Sequence, residues 1–356
     1  MRNTNNRLAR SIARTALVLT SAAAVAFGLT ACGGTGTDSS GGKTVTVYSA
    51  DGLGDWYKPL FAKFKDQTGI AVNYVEAGSG EVVSRVEKEQ SNPQADIVVT
   101  LPPFIQKADK SGLLQASGVD FSSVAATDKA TDGNWVTLAG NYLCWIANPS
   151  VNVNTAKVTW DDLLKPDYKG KLQYSTPGQA GDGTAVLVLL QQLYGKQGAL
   201  DYLGKLQANN VGPSASTGKL QPKVDKGELL VANGDVQMNL ASVKDGSKFT
   251  VFFPAGNDGK QSTVALPYAM GLAKGAPHSD AGKKLMDFML SADAQKTLPD
   301  AFAMPARQEL ADAPVTGNGP SPAQVIKNVT VVHPDWNKVV DDLDSDVAAY
   351  SKATGS

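Results

Sequence analysis

The chain has 356 residues, of which 42% are hydrophobic and 19% charged, and its 33 basic and 34 acidic residues leave a formal net charge of −1. So even a balance provides no basic footprint for nucleic acid. The apolar fraction can bury a full core, and the length exceeds what one core usually serves, so two lobes are the default.

Residues 1–31 carry Arg2, Arg7, Arg10 and Arg14 without an acid and run into the apolar stretch ALVLTSAAAVAFGL. That pattern is a secretory leader, with an apolar part too short to be read as a membrane span. It stops at Leu29–Cys32, LTAC, which resembles the bacterial lipobox, where small residues precede a cysteine that is lipidated and becomes the new N-terminus. The alternative is an ordinary signal peptide followed by an incidental cysteine. GGTGTDSSGG comes next and has the composition of a flexible tether, which favours the anchored reading. Loss of 1–31 makes the remaining chain more acidic. Acylation of Cys32 would leave Cys144, in the apolar run YLCWIA, as a buried small hydrophobe without a disulfide partner.

From residue 43 onward, strand and helix patterns alternate. KTVTVYS reads as a strand, and DWYKPLFAKFKDQTG as a helix with Trp56, Leu60 and Phe64 on one face and a stop at Gly69. GIAVNYVEA is a second strand, GSGEVVSRVEKEQ a second helix, ADIVVT a buried strand, and LPPFIQKADKSG a helix with proline at its start. This β-α-β-α-β-α order predicts a parallel sheet covered on both faces. After YLCWIANP the pattern resumes with KGKLQYST, the loop STPGQAGDGTA and a helix over Ala185–Tyr194. GELLVA, VQMNLA and FTVFF read as apolar strands. AGKKLMDFMLSADAQKTL and WNKVVDDLDSDVAAY read as amphipathic helices.

Parallel α/β sheets bind ligands beyond the carboxyl ends of their strands, where helices begin. Four such junctions stand out: Ser49–Gly52, Gly78–Gly80, Thr100–Pro103 and the glycine-rich loop with Gly178, Gly181 and Gly183. Ser214–Gly218 is a fifth polar loop. Each offers hydroxyls, free helix N–H groups, or both, which suits an anion. None contains lysine or arginine, so a phosphate loop of the G-x-x-x-x-G-K type is excluded, and any field comes from neutral dipoles. Ser79 could equally be a helix cap, and Gly80 and Gly183 could serve tight turns. Asp51 and Asp182 run against the anion logic; each is a helix cap or a partner for a cation on the same ligand.

Catalytic equipment is sparse. His278 and His333 lie beside prolines, in no metal-ligand spacing and with no nucleophile elbow in the chain. Asp161-Asp162 and Asp341-Asp342 read as helix-start and solvated charges. No metal site, no cofactor and no enzymatic activity are expected.

The lipobox, the β/α alternation and VTWDDLLKPDYKGKL (158–172) resemble the extracytoplasmic solute-binding lipoproteins of ABC importers, in the group of iron, thiamine and polyamine binders. VYSADGLGDWY, STPGQAGDGTAV, NNVGPSASTGKLQPKVDKGELLVANGDVQMNLA and LPYAMGLAKGAPHSDAGKKL are similar to 2-aminoethylphosphonate-binding proteins in particular. The resemblance implies a bilobed periplasmic-binding-protein fold of type II, two α/β lobes joined by crossover strands, closing on a ligand in the cleft. It also implies permease and ATPase partners and a lipid-anchored position on the outer face of the cell membrane. The expected division is a leader over 1–31, a tether over 32–43, a first lobe from 44–141 plus 265–310, and a second from 142–264 plus 311–356.

2-Aminoethylphosphonate is a zwitterion, so hydroxyls and helix N–H groups suit one end and a carboxylate the other. Carried over from the family, its phosphonate falls at Gly183 and Thr184, with Ser216, Thr217, Asn239 and Ser242 near. Asp51, Ser79 and Thr100 face it from the first lobe, with Asp51 the first choice for the ammonium and Asp182 the reserve. Tyr268 lines the cleft or packs beside it. Where iron-binding relatives carry a tyrosine pair, this chain has Val243-Lys244-Asp245, so iron is not expected. Two alternatives stay open: a receptor for another small anion or organophosphate, and an enzyme of phosphonate or phosphate-ester chemistry. The enzyme would need a general base or metal set beside the anion cradle.

Overall fold

A computed structural model describes residues 44–151, 154, 155, 157–316 and 320–356. The leader, Cys32 and the tether lie outside the described residues. Among those described, no helix is long and apolar enough to cross a membrane.

The first half builds on β1 (Thr44–Ala50), α1 (Gly54–Thr68), β2 (Ala71–Ala77), α2 (Ser79–Lys88), β3 (Ile97–Thr100), α3 (Phe104–Lys110), β4 (Leu114–Gln115) and β5 (Trp135–Gly140). The chain then enters a second half through β6 (Leu143–Ala147), β7 (Leu172–Gln173), α4 (Gly181–Leu206), α5 (Gln221–Asp225), β8 (Val231–Asp235), α6 (Val236–Lys244), β9 (Thr250–Phe252) and β10 (Ser262–Val264). It returns with β11 (Tyr268–Ala273), α7 (Ser279–Leu290), α8 (Ala292–Gln295) and β12 (Met304–Pro305). It ends on α9 (Pro322–Val325), β13 (Thr330–Val332) and α10 (Trp336–Thr354).

The first sheet has the order β12-β5-β11-β3-β1-β2, with β4 also on β11. Alternation along its strands sorts the core onto two faces. Val45, Val47, Ile97 and Val99 pack with Trp56, Tyr57, Leu60 and Phe64 of α1 and with Leu285, Met286 and Met289 of α7. Tyr48 and Val98 turn the other way, toward Val82, Val83 and Val86 of α2 and Phe104 and Ile105 of α3. The second sheet, β7-β8-β6-β9, is covered by α4 on one face, where Trp160 stands edge-on to both Trp145 and Tyr202 with centroids 5.7 Å apart. Leu220, Val224 and Phe249 close its other face around Ile146. Each fully buried aliphatic or aromatic side chain in these layers contributes about 1.5–3 kcal/mol.

Two crossovers join the halves side by side. Asn141 and Tyr142 lead from β5 to β6, and residues 265–267 lead from β10 to β11. Leu266 N donates to Asn141 O (2.8 Å), and Tyr142 forms an antiparallel bridge with Ala265. The chain passes between the halves a third time after β12, since β13 pairs with β10. α10 then packs on α4, where Lys196 bridges Asp342 and Asp346 at 2.9 Å each, and reaches Lys110 of α3 through Asp341.

The structure departs from the sequence reading in several elements. The first sheet is parallel over β2-β1-β3; β11 is inserted against that direction, and β5, antiparallel to β11, runs with β3 again. A strand arriving from the other half enters at the end where β3 leaves, and so must run against it. VQMNLA is not a strand but the start of α6, because Asp235 caps it by accepting from Met238 N (2.7 Å). The run AGKKLMDFMLSADAQKTL is divided between α7 and α8 at Ser291, whose hydroxyl caps the second piece. The helix expected over Ala185–Tyr194 begins earlier, at Gly181, and continues past a break at Gly195, where φ is 73°.

Candidate functional site

The carboxyl ends of β1, β2 and β3 meet loops of the second half. Asp51, between β1 and α1, accepts a short hydrogen bond on Oδ2 from Ser216 Oγ. Gly80 N donates to Gln179 O (3.0 Å), and a side chain at Gly80 would overlap that carbonyl, so only glycine permits this approach. Ser79 is the first residue of α2, not its cap; the cap is Gly78, whose N–H is taken by Glu81 Oε2 at 3.0 Å. Thr100 is fully buried, and its hydroxyl donates to Ser79 O (3.0 Å), which ties two of the predicted residues together.

From the other side, Asp182 occupies the second position of α4, whose cap is Ala180. Thr217 Oγ1 lies 2.9 Å from Asp182 Oδ2 and 3.0 Å from Ser175 Oγ. Ser175 Oγ accepts in turn from Asn233 Nδ2 at 3.1 Å. Tyr268 sits beneath this group with its hydroxyl donating to Asp51 O (2.9 Å), and Gln237 Oε1 is 3.3 Å away. Asp51, Ser79, Thr100, Asp182, Ser216, Thr217 and Tyr268 are thus brought together across the two halves.

Four predicted residues are committed elsewhere. Gly183 presses against Ser175 O, with no room for a Cβ. Thr184 is fully buried; its hydroxyl donates to Ala180 O and accepts from Gly178 N, both at 2.9 Å, so it fastens the glycine-rich turn. Asn239 is also buried, held by Gln221 Nε2 on its oxygen (2.7 Å) and by Asp235 O on its amide (2.8 Å). Ser242 bonds back along α6 to Met238 O at 3.0 Å.

Sequence reasoning missed Asp235. It is 1% exposed and caps α6 with Oδ1, while Oδ2 has no hydrogen-bond partner. Asp182, 3% exposed, likewise leaves Oδ1 unpartnered. Burial raises both carboxyls: Asp235 is pushed up to about 6, with Asp51 adding to the shift, and Asp182 is driven well above the usual range with help from Asp235 and Asp51. The same acids, after burial itself, raise the Tyr268 phenol. None of the three aspartates belongs to an ion pair among the described residues. The available signal was Asp at the end of VANGD directly before an apolar run, a helix-start pattern.

A family model for bacterial extracellular solute-binding proteins matches residues 45–302. A Salmonella typhimurium protein named "Putative 2-aminoethylphosphonate-binding periplasmic protein" is 45% identical over 320 residues, spanning 88% of this chain and 93% of its own. Among solved structures, the periplasmic binding protein AfuA of Actinobacillus pleuropneumoniae superposes with a TM-score of 0.73 at 19% identity, covering 88% of this chain and 99% of that one. The ferric binding protein of Campylobacter jejuni gives 0.67 at 23% identity over 87% and 99%. At those identities the likeness is one of fold: two α/β lobes joined by crossovers.

Proposed function

The chain belongs to the bacterial extracellular solute-binding proteins, and we propose that it is the receptor of an importer for 2-aminoethylphosphonate, bound between its two lobes. The observation that carries the ligand is the 45% identity across nearly the full length of a relative named for that compound. The meeting of the halves supports it: hydroxyls of Ser216, Thr217 and Ser175 stand beside buried carboxyls, so both signs of a zwitterion find partners. The lobes are divided near residues 141 and 265, and residues 311–356 go with the second. Ligand lies against Asp51, Ser79 and Thr100 on one side and Asp182, Ser216 and Thr217 on the other. The N–H groups of the first turn of α4, from Gly181 to Gly183, serve the phosphonate, while Thr184 holds the turn that presents them. The receptor releases its ligand unchanged to a permease driven by an ATPase.

Calorimetric titration with 2-aminoethylphosphonate, phosphate and putrescine tests this reading. Saturable heat is expected from the first alone, with the ligand recovered intact; heat from phosphate or putrescine instead would replace the ligand, and its consumption would replace the receptor. The lipobox-like LTAC supports anchoring through Cys32. Cys32→Ala is expected to move the protein out of the detergent phase of a membrane partition, and unchanged partitioning would remove the anchor.

A further inference from the structure

Asp182 and Asp235 come from different elements, the start of α4 and the end of β8, yet act on each other within one buried group. Each spends one carboxyl oxygen inside the protein, on Thr217 and on Met238 N respectively. The other oxygen of each, Asp182 Oδ1 and Asp235 Oδ2, is buried without a hydrogen bond in the structure, and the equally unpartnered amide of Asn141 stands near Asp235. Asp51 differs: its Oδ2 is occupied by Ser216 across the cleft. Two unpartnered carboxyl oxygens this deeply buried call for a proton or a cation. We propose that Asp182 and Asp235 together receive the primary ammonium of the ligand, and that the incoming ammonium displaces a proton held by the pair, so that ligand uptake releases a proton to solvent.

The step balances. The ligand arrives as R–NH3+ and keeps its three N–H bonds, donating two of them to Asp182 Oδ1 and Asp235 Oδ2. One carboxylic acid of the pair loses its proton to water and becomes the carboxylate that neutralises the ammonium. The surroundings oppose two carboxylates without such a cation. Burial is the largest influence on both groups, and Asp51 adds a third negative charge. Tyr268, Tyr57 and Cys144 are the other titratable groups nearby, all of them acids raised by burial. Thr217 on Asp182, and Asn141 with the Met238 and Gln237 amides on Asp235, pull toward the carboxylate form without supplying charge. The pair therefore holds a proton near neutrality when no cation is present and yields it to an ammonium.

This inference rests on the ligand reading above, and the test separates the two. Calorimetry of 2-aminoethylphosphonate binding near pH 6.5, in buffers of different ionisation enthalpy, counts the protons released; each ligand's own phosphonate titration, measured free in solution, is subtracted, and ethylphosphonate is the amine-free control. The wild type is expected to release about one proton more with the amine than without it, and its affinity to rise up to tenfold per pH unit while the pair is protonated. Asp235→Asn keeps the cap oxygen for α6, and Asp182→Asn keeps the acceptor for Thr217. Each is expected to abolish the extra proton and to weaken 2-aminoethylphosphonate at least tenfold more than ethylphosphonate. Tight amine binding with no extra proton, in wild type and both folded variants, would overturn this inference and leave the ligand reading standing. Absence of binding at every pH would overturn both. If one variant fails to fold, as judged by circular dichroism, the wild-type proton count and the other variant decide.

Discussion

At the scale of single residues, the hydroxyls expected to meet the anion divide into two kinds. Ser216 reaches across the cleft to Asp51, so it joins the halves. Ser216→Ala is expected to weaken 2-aminoethylphosphonate and ethylphosphonate alike, by about 0.5–1.5 kcal/mol or several-fold, because it loosens closure without touching the amine partner. Calorimetry on the two ligands checks this; selective loss of the amine compound would return Asp51 to the ammonium site. Thr184 is committed within its own turn, to Gly178 N and Ala180 O. Thr184→Val should therefore lower stability by about 1 kcal/mol in urea unfolding, since the partly buried Gly178 N–H loses its acceptor. An unfolding curve matching wild type would show that the turn does not depend on this hydroxyl. Thr184 was legible as important from the loop sequence, but not its partners, which depend on a turn that only the fold closes.

At the scale of elements, the alternating pattern marked most strands and helices of the first half, and the errors have local causes. VQMNLA is short and apolar throughout, so periodicity cannot separate strand from helix there; the cap at Asp235 decides. The same dual role hid Asp235 from the site, because an aspartate before a helix is ordinarily explained by capping alone. Its burial has a further consequence for α6. The folded carboxyl titrates at about 6 against an ordinary value of 3.8, so the acid form is favoured in the folded state. Stability without ligand is then highest below about pH 4 for this group and falls as pH rises to about 6, by on the order of 3 kcal/mol. Urea unfolding from pH 4 to 7 should show that loss in wild type and much less of it in Asp235→Asn. Parallel slopes in the two proteins would place the titration elsewhere.

At the scale of the whole molecule, the two-lobed architecture was legible from the chain length, the β/α alternation and the resemblance of several segments to solute-binding proteins. The carboxyl pair was not, since its members lie far apart in sequence and meet only through long-range packing of α4 against β8. If ligand favours the closed arrangement, small-angle scattering should give a smaller radius of gyration on saturation. An unchanged radius would mean that binding does not draw on lobe motion. The paired crossovers bear on where such motion would turn. Leu266 is bonded to Asn141 and Ala265 is bridged to Tyr142, so the two connecting strands are fastened to each other, and the passage from β12 to β13 runs between the halves as well. Any closing of the halves would pivot near this fastened pair, so a distance between points far from it is the one to read. Dyes on exposed Lys88 of α2 and Lys226, just past α5, one in each half, would test whether that distance follows ligand occupancy.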